Sequence, residues 1–489
     1  MSKPLTVVQV GGFGNIGDNV YRVHEPAAAM ARLPGVLVYE VHAQSRWRDA
    51  AALAADVLVL TMSLDVEVFR LIHQRRQLGK PTICEVNDYL PDVQPWNPAH
   101  LTWADTRGRH LFEQLIIHSD ATQVTTDSLA SRVTGWAQQV AVFPNHLAHL
   151  PPPRQPRVPD SKTQLVVGWG GSLGHRQDVA HIAPALTAWL QRQPLVRLEI
   201  MGAPWLLEFF KDVPPEQFSF HQAGPLAGYL QWLAGVDIGL APLLPTEYNR
   251  CRSDVKFLEY ACCGVVPVLQ RLDPYSGVKH GETGFLFDTP EGMIEQLDQL
   301  VASPALRQQV ASAAYAHVSS QRRMDSHAHQ RIDFYREQVS RAQAAWAQKP
   351  PAALPEALVK AGCLSLQSLP GWQALTPSHH RMDLQSPAEQ HVSNGVDVLQ
   401  TGDVEKACQS FATAVRLDAT YAHAFSFLGH CLLQLGRPRL AREALERAVA
   451  LDPLLSRPVR ALARLHRSAA EQYSRQAAAL NPLQPPPRG

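Results

Sequence analysis

A lone lysine and a lone glutamate three positions apart, Lys256 and Glu259, stand in the stretch "RSDVKFLEYACCG" (252–264). Ser253 can cap a helix start there, and Gly264 can close its end. On such a helix Lys256 and Glu259 share a face. A lysine in a first helical turn opposes the helix dipole, which favours anions at that end. A bound diphosphate would reverse that sign, with Lys256 and Arg252 neutralising it. Glu259 could then accept hydrogen bonds from both hydroxyls of a ribose. The plain alternative is a surface Lys–Glu pair worth a few tenths of a kcal/mol. The neighbouring Cys262 and Cys263 read as small buried residues.

Two glycine-rich turns could serve the same chemistry. "VVQVGGFGNIGD" holds Gly12, Gly14 and Gly17 in G-x-G-x-x-G spacing between a strand and a helix, with Glu40 ending the next strand. Glycine there lets backbone approach a phosphate or a sugar, and the helix start offers N–H groups. The spacing and Glu40 also fit a dinucleotide site, and a purely steric turn is the third possibility. "LVVGWGGSLGHRQD" (165–178) presents Gly170, Gly171 and Ser172, with His175 and Arg176 adding cationic or hydrogen-bonding reach.

These stretches need elements to hold them. Short β-branched runs such as "LTVVQV", "VLVYEVHA", "DVLVLTM" and "PTICEVND" alternate with helical patterns over 1–150. Such alternation specifies a parallel sheet covered by helices. "PPPRQPRVP" (151–159) breaks the pattern, and a second α/β domain with a trailing helix follows over 160–345. The Pro-, Ser- and Gln-containing segment 348–385 reads as mostly linker. Over 386–484 a shift of 34 residues pairs Gly395 with Gly429, Gly402 with Gly436, Ala407 with Ala441 and Ala414 with Ala448. This pattern resembles the tetratricopeptide repeat, in two copies and a shortened third, which implies an all-α module that binds a partner or self-associates. Two full copies are few, so docking onto the second domain or a partner copy is expected.

Bulk composition narrows the function. A net charge of +1 without a basic stripe argues against nucleic acid. Seven cysteines, none in C-x-x-C spacing, argue against a disulfide framework or a zinc site. No stretch approaches the roughly 20 apolar residues of a membrane span. The chain is expected to be cytoplasmic, with peripheral contact at the inner membrane face left open.

The paired domains and the quoted stretches resemble the GT-B glycosyltransferases, and within them the retaining group called family 4. "VGWGGSLGHRQDVAHIAPAL", "DIGLAPLLPTEYNRCRSDVKFLEYACCGVVPVL" and "HGETGFLF" carry the likeness in the second domain, and "SDATQVTTDSLASRV" and "VAVFPNHL" in the first. The resemblance implies two Rossmann-like doubly wound domains, a nucleotide-diphospho-sugar donor on the second and a glycan, lipid-linked or protein acceptor on the first. It implies a retaining, metal-independent transfer of the kind used in polysaccharide biosynthesis, with no cofactor beyond the donor. By the same likeness Glu259 would hold the donor ribose, Lys256 would lie one turn before it, and Gly12 and Gly14 would lie near the phosphates; Gly171, Ser172, His175 and Arg252 are donor-binding candidates on their own residue types. Asp88 stands where relatives touch the transferred sugar, and Asp88 and Glu247 are the candidate sugar-orienting carboxylates. Two departures stand out: Cys251 replaces an expected glutamate, and Trp169 and Gly174 replace an arginine and a lysine of the phosphate loop. Two other functions stay open on the residues alone. One is an NAD-dependent oxidoreductase built on the first glycine turn and Glu40; the other is a non-catalytic transferase-like scaffold for the repeats.

Overall fold

The computed structural model describes residues 3–12, 17–63, 65–154, 164–465 and 476–481. The first sheet is built from β1 (Leu5–Gly11), β2 (Val36–His42), β3 (Val57–Thr61), β4 (Thr82–Val86), β5 (Ala121–Val124) and β6 (Val140–Val142). The second is built from β7 (Leu165–Gly170), β8 (Val196–Gly202), β9 (Phe218–Gln222), β10 (Ile238–Ala241), β11 (Val266–Gln270) and β12 (Phe285–Phe287). Their orders are β2-β1-β3-β4-β5-β6 and β12-β11-β10-β7-β8-β9, and every pairing among these strands is parallel. Near-continuous burial along β1, β3, β4 and β7 fits strands covered by helices on both faces. Strand order reverses at β1 in the first sheet and at β7 in the second. Open α/β sheets bind ligands beyond the carboxyl ends of strands at such points. Both glycine turns lie there.

The trailing segment divides between the domains. Helix Pro304–Gln321 packs on the second domain, but helix Met324–Gln348 returns to the first. Met324, Ala328, Ile332 and Tyr335 pack there against Val7, Val38 and Val59, and the Tyr335 hydroxyl donates to Gln123 Oε1 at 3.0 Å. The expected second-domain ownership of the whole stretch to 345 is therefore corrected.

Residues 348–385 are folded, not a linker. Helix Glu356–Gly362 covers the first domain, and β13 (Gln373–Thr376) and β14 (His379–Met382) form an antiparallel hairpin whose second strand pairs in parallel with β2. Leu358, Leu366, Leu369 and Met382 are buried in the first domain's core, and the Trp372 ring packs 5.0 Å from that of Tyr39. These apolar residues follow neither helical nor strand spacing, which is why the segment's composition reads as linker.

The repeats occupy helices Pro387–Gln400, Val404–Leu417, Ala422–Gln434, Pro438–Leu451 and Ser456–Leu465. A Cβ on Gly395 would lie 2.6 Å from Phe411, and one on Gly429 2.6 Å from Leu445, so these glycines permit the hairpins to close. The array docks on the first domain, not the second. Glu67 accepts from Ser456 Oγ at 2.7 Å and from Arg70 Nε at 2.9 Å, His423 Nε2 lies 3.2 Å from Asp49, and Arg457 pairs with Asp65. Arg70 is fully buried and also pairs with Asp49. Removing one member of a buried charge set strands the others. Arg70→Ala is expected to destabilise the chain by about 3–5 kcal/mol, read as a lower urea midpoint.

Candidate active site between the two sheets

Beyond β1 the chain enters a helical segment, Gly17–Met30, whose centre, Val20–His24, takes the wider π turn. Such turns re-aim side chains and recur at functional sites. Here the segment presents Asp18 to the cleft, Tyr21 to the second domain and Arg22 to the first domain's interior. Arg22 donates to Glu85 at 2.8 Å, to the Phe143 carbonyl at 2.7 Å and to Asn145 Oδ1 at 3.0 Å, which fixes the segment's pitch. Asn87 and Asp88 follow the carboxyl end of β4.

From the second domain, β7 ends at Gly170, and Gly171 and Ser172 lead into the short turn Leu173–His175 and helix Arg176–Leu190. A Cβ on Gly171 would lie 2.8 Å from the Trp169 ring and one on Gly170 2.6 Å from Tyr229, so side chains are excluded by packing. Ser172 is exposed at the loop's edge. His175 is buried, with Nδ1 2.9 Å from Asp178. Burial and the nearby Arg252 hold its imidazole below the usual value, outweighing Asp178. At neutral pH it is therefore a hydrogen-bonding group and not the cation the sequence allowed.

Helix Val255–Cys262 completes the wall. Its end agrees with the sequence: Gly264 follows Cys263 with φ of 67°, the left-handed position that glycine fills without strain. Its start differs. The cap position falls at Asp254, whose carboxylate takes the Arg322 guanidinium, while Ser253 Oγ accepts from Asn145 Nδ2 at 3.0 Å. Both side chains serve the contact between domains. Lys256 Nζ donates to the Tyr229 hydroxyl at 2.8 Å and to Glu259 Oε2 at 3.0 Å, and lies 4.3 Å from the Tyr229 ring centroid. Glu259 is 4% exposed and also accepts from the Tyr21 hydroxyl at 3.3 Å. The pair is thus buried in the cleft wall, not a solvated surface pair.

Arg252 sits at the centre. Its guanidinium lies 5.4 Å over the Tyr248 ring, and among the described residues no carboxylate pairs with it within 4.0 Å. Asp18, Asp88 and Asp178 surround it at longer range and, with Tyr248, raise its affinity for its proton above the usual arginine value despite burial. Tyr248 faces Asp88, and burial together with that carboxylate raises its phenol. Asp18 is solvent-accessible at the cleft mouth, yet the enclosing protein and the adjacent Asp88 charge push its carboxyl up to about 6, against Arg252 and Arg22. Burial and a neighbouring negative charge thus leave Asp18 able to titrate near neutrality beside a fixed cation.

The structure therefore brings together Asp88, His175, Arg252, Lys256 and Glu259, with Gly171 and Ser172 on the adjoining loop. Gly12 opens the first loop with no atom of the described residues within 4 Å of where its Cβ would stand, and Gly14 lies outside the described residues. Glu247 does not join the group. It pairs with Arg132 across the domain boundary and lies 3.9 Å from Arg250, half-exposed, so its sugar-orienting assignment is withdrawn in favour of a clasp. Cys251 is 1% exposed and packs in the first domain's core, with its carbonyl accepting from Thr126 Oγ1 at 3.1 Å. A glutamate there would have to enter that packing, which accounts for the departure. Asp18, Tyr21, Tyr229 and Tyr248 were not singled out from the sequence. Asp18 carried a local signal, lying next to Gly17 in the first glycine turn; the tyrosines carried none, since their partners lie on distant segments.

Glu40 is buried and bound on both sides, by His24 and by His379 Nε2 at 2.6 Å. Burial alone would raise its carboxyl, but the two histidines outweigh it and hold it at about 2. It faces no ribose, which removes the residue the oxidoreductase alternative depended on. Direct contacts link the walls near the glycine loop: Trp96 Nε1 donates to the Gly174 carbonyl at 3.1 Å, and Gln94 Nε2 to Thr246 at 2.9 Å.

Comparison with known proteins decides the class. The family described as glycosyl transferase-like matches residues 176–333, and the tetratricopeptide repeat family matches 398–465. The chain carries a glycosyltransferase domain of the GT-B type followed by tetratricopeptide repeats. No curated protein matches its sequence. Among solved structures, sucrose-phosphate synthase from Thermosynechococcus elongatus aligns over 69% of this chain and 100% of its own, at 14% identity and a TM-score of 0.52. HepE of Anabaena, solved with UDP and glucose, aligns over 68% of this chain and 100% of its own, at 11% identity and a TM-score of 0.50. These likenesses show the shared two-domain fold of this glycosyltransferase. Among the described residues no helix is long and apolar enough to cross a membrane.

Proposed function

We propose that this glycosyltransferase moves a sugar from a nucleoside-diphospho-sugar donor, seated between the 171–175 loop and helix Val255–Cys262, to an acceptor approaching from the first domain. The observation that carries this is Arg252: a half-buried guanidinium without an ion-pair partner among the described residues, at the junction of both domains' loops. Such a cation is suited to a ligand's negative charge. Lys256, one turn along, supplies a second cation by turning from Glu259 to the diphosphate, and Glu259 is then open to the ribose hydroxyls. Backbone N–H groups at the start of helix Arg176–Leu190 complete the cradle. The leaving diphosphate is stabilised by these groups as charge develops, without a step that requires a metal.

On the acceptor side, Asp18 and Asp88 orient the transferred sugar and the incoming hydroxyl, with Tyr248 holding Asp88 in place. The likeness to family 4 supports transfer with the anomeric configuration retained, and UDP and glucose in the HepE structure support the donor class. Polysaccharide, lipid-linked glycan and protein are the acceptor classes to screen. The test is incubation with a panel of UDP-, GDP-, ADP- and TDP-sugars, with mass spectrometry for released nucleoside diphosphate. Release from one sugar, abolished in Glu259→Ala, is the expected result; no release from any, with or without acceptor extracts, overturns the proposal.

A further inference from the structure

Where the repeat array meets the first domain, helices Pro387–Gln400, Ala422–Gln434 and Ser456–Leu465 enclose a cavity of about 290 Å³ together with Val66 and Arg107 of that domain. Its floor is apolar, with Leu399, Phe427 and Leu433. Arg107, Arg457, Arg460 and Arg464 stand round it, and no carboxylate lines it among the described residues. Two of the four guanidiniums are engaged within the fold. Arg457 pairs with Asp65 and lies 4.5 Å over the Phe427 ring, and Arg460 donates to the Asn481 carbonyl at 3.0 Å. Arg107 and Arg464 are exposed and hold no ion pair among the described residues.

Four like charges on one small cavity repel one another, and no carboxylate of the lining offsets them. His430, which lines the same cavity, registers that field. Burial, and then Arg457, Arg464 and Arg107, hold its imidazole below the usual value, so at neutral pH it adds no fifth charge. Its Nδ1 is buried without a hydrogen-bond partner among the described residues. The cavity is therefore a built positive site whose own fold leaves two cations unmatched.

We infer that this cavity binds a small phosphate monoester, its phosphoryl group on Arg107 and Arg464 and its carbon part against the Leu399–Leu433 floor. A phosphate monoester carries about two negative charges at neutral pH, which matches the two free guanidiniums. The guanidinium fork takes phosphate oxygens in pairs. Small-molecule sites run from about 300 to 1,000 Å³, so this cavity suits a small metabolite and is short for a run of polypeptide. Arg107 belongs to the first domain and Arg464 to the last of the repeat helices, so the bound ester ties the array to the acceptor-side domain. The inference goes beyond the transfer reaction and does not rest on it. None of Asp18, Asp88, Arg252, Lys256 and Glu259 lines the cavity.

The test is titration calorimetry on the full-length chain without donor, using phenyl phosphate, glucose 6-phosphate, glycerol 3-phosphate and inorganic phosphate. At least one ester is expected to bind saturably, more tightly than inorganic phosphate, and to weaken with salt. Its affinity should fall at least about tenfold in both Arg107→Ala and Arg464→Ala, with circular dichroism unchanged. The same ester should raise the Tm of the wild-type chain by binding to the folded form, and lose that effect in both variants. Affinity retained in Arg252→Ala places the ester outside the donor cleft, so this result and the transfer reaction are read separately. Binding of no ester, inorganic phosphate as tight as every ester, unchanged affinity in either variant, or loss in Arg252→Ala overturns the inference. So does tighter binding of a Glu-Asp-Leu repeat peptide than of any ester.

Discussion

Replacing Arg252 with alanine is expected to lower sugar transfer about 100- to 1,000-fold, the range seen when a preorganised group stabilising developing charge is removed. The loss should appear in donor KM as well as kcat, because the guanidinium meets the diphosphate in the ground state and more strongly as the bond to the sugar breaks. Arg252→Lys should recover only part of it, since an ammonium cannot reproduce the planar fork set over the Tyr248 ring. Stability should change little by comparison with Arg70→Ala, because Arg252 holds no ion pair among the described residues. Steady-state kinetics and urea unfolding on the same preparations separate the two effects. Transfer unchanged in Arg252→Ala would remove the residue from the site.

Asp18→Asn is expected to lower kcat by about 100-fold or more at neutral pH, the scale of a positioned acid–base group, with donor KM nearly constant. The pH profile is the sharper readout. Below about 6 the folded chain holds the Asp18 proton, so wild-type transfer should rise through that pH as the carboxylate forms. Asp88→Asn removes the neighbouring negative charge that raises Asp18, so the limb should move to lower pH. The linkage has the opposite sign for stability. A carboxyl whose folded value lies above its unfolded value of 3.8 gives up protons more reluctantly when folded. Stability therefore falls as pH climbs from about 4 to 6. Asp18→Asn should consequently raise Tm at pH 7 while slowing transfer, a pairing of effects that a merely structural residue would not give. An unmoved limb in both variants would exclude Asp18 as the group that sets it.

The parts legible in the sequence were those fixed by local spacing. The 34-residue repeat was readable because Gly395 and Gly429 are required by contacts within each hairpin, to Phe411 and Leu445. The site helix was readable for the same reason: Lys256 and Glu259 meet within one turn, and Gly264 ends the helix by its own φ. What failed were assignments whose answer lies across the fold. Ser253 reads as a cap, but its hydroxyl is taken by Asn145 from the other domain. Glu247 reads as a carboxylate available to a sugar, but Arg132 reaches it across the domain boundary. Glu40 reads as a ribose ligand, but His379 arrives on a hairpin more than three hundred residues later. That hairpin lay within the stretch read as linker, because its apolar residues pack singly onto another domain and show no period of their own. Asp18 shows the converse: its residue type was plain in the glycine turn, while its role depends on the approach of Asp88 and Arg252.

Titration calorimetry of UDP, GDP, ADP and TDP against the wild-type chain and Arg252→Ala bears most directly on the central claim, that the cleft between the two sheets seats a nucleoside diphosphate on Arg252 and Lys256. Saturable binding of one of these nucleotides, weakened at least about tenfold in Arg252→Ala, is the predicted result. Binding of none of them to the folded wild-type chain, or equal binding to Arg252→Ala, would contradict it.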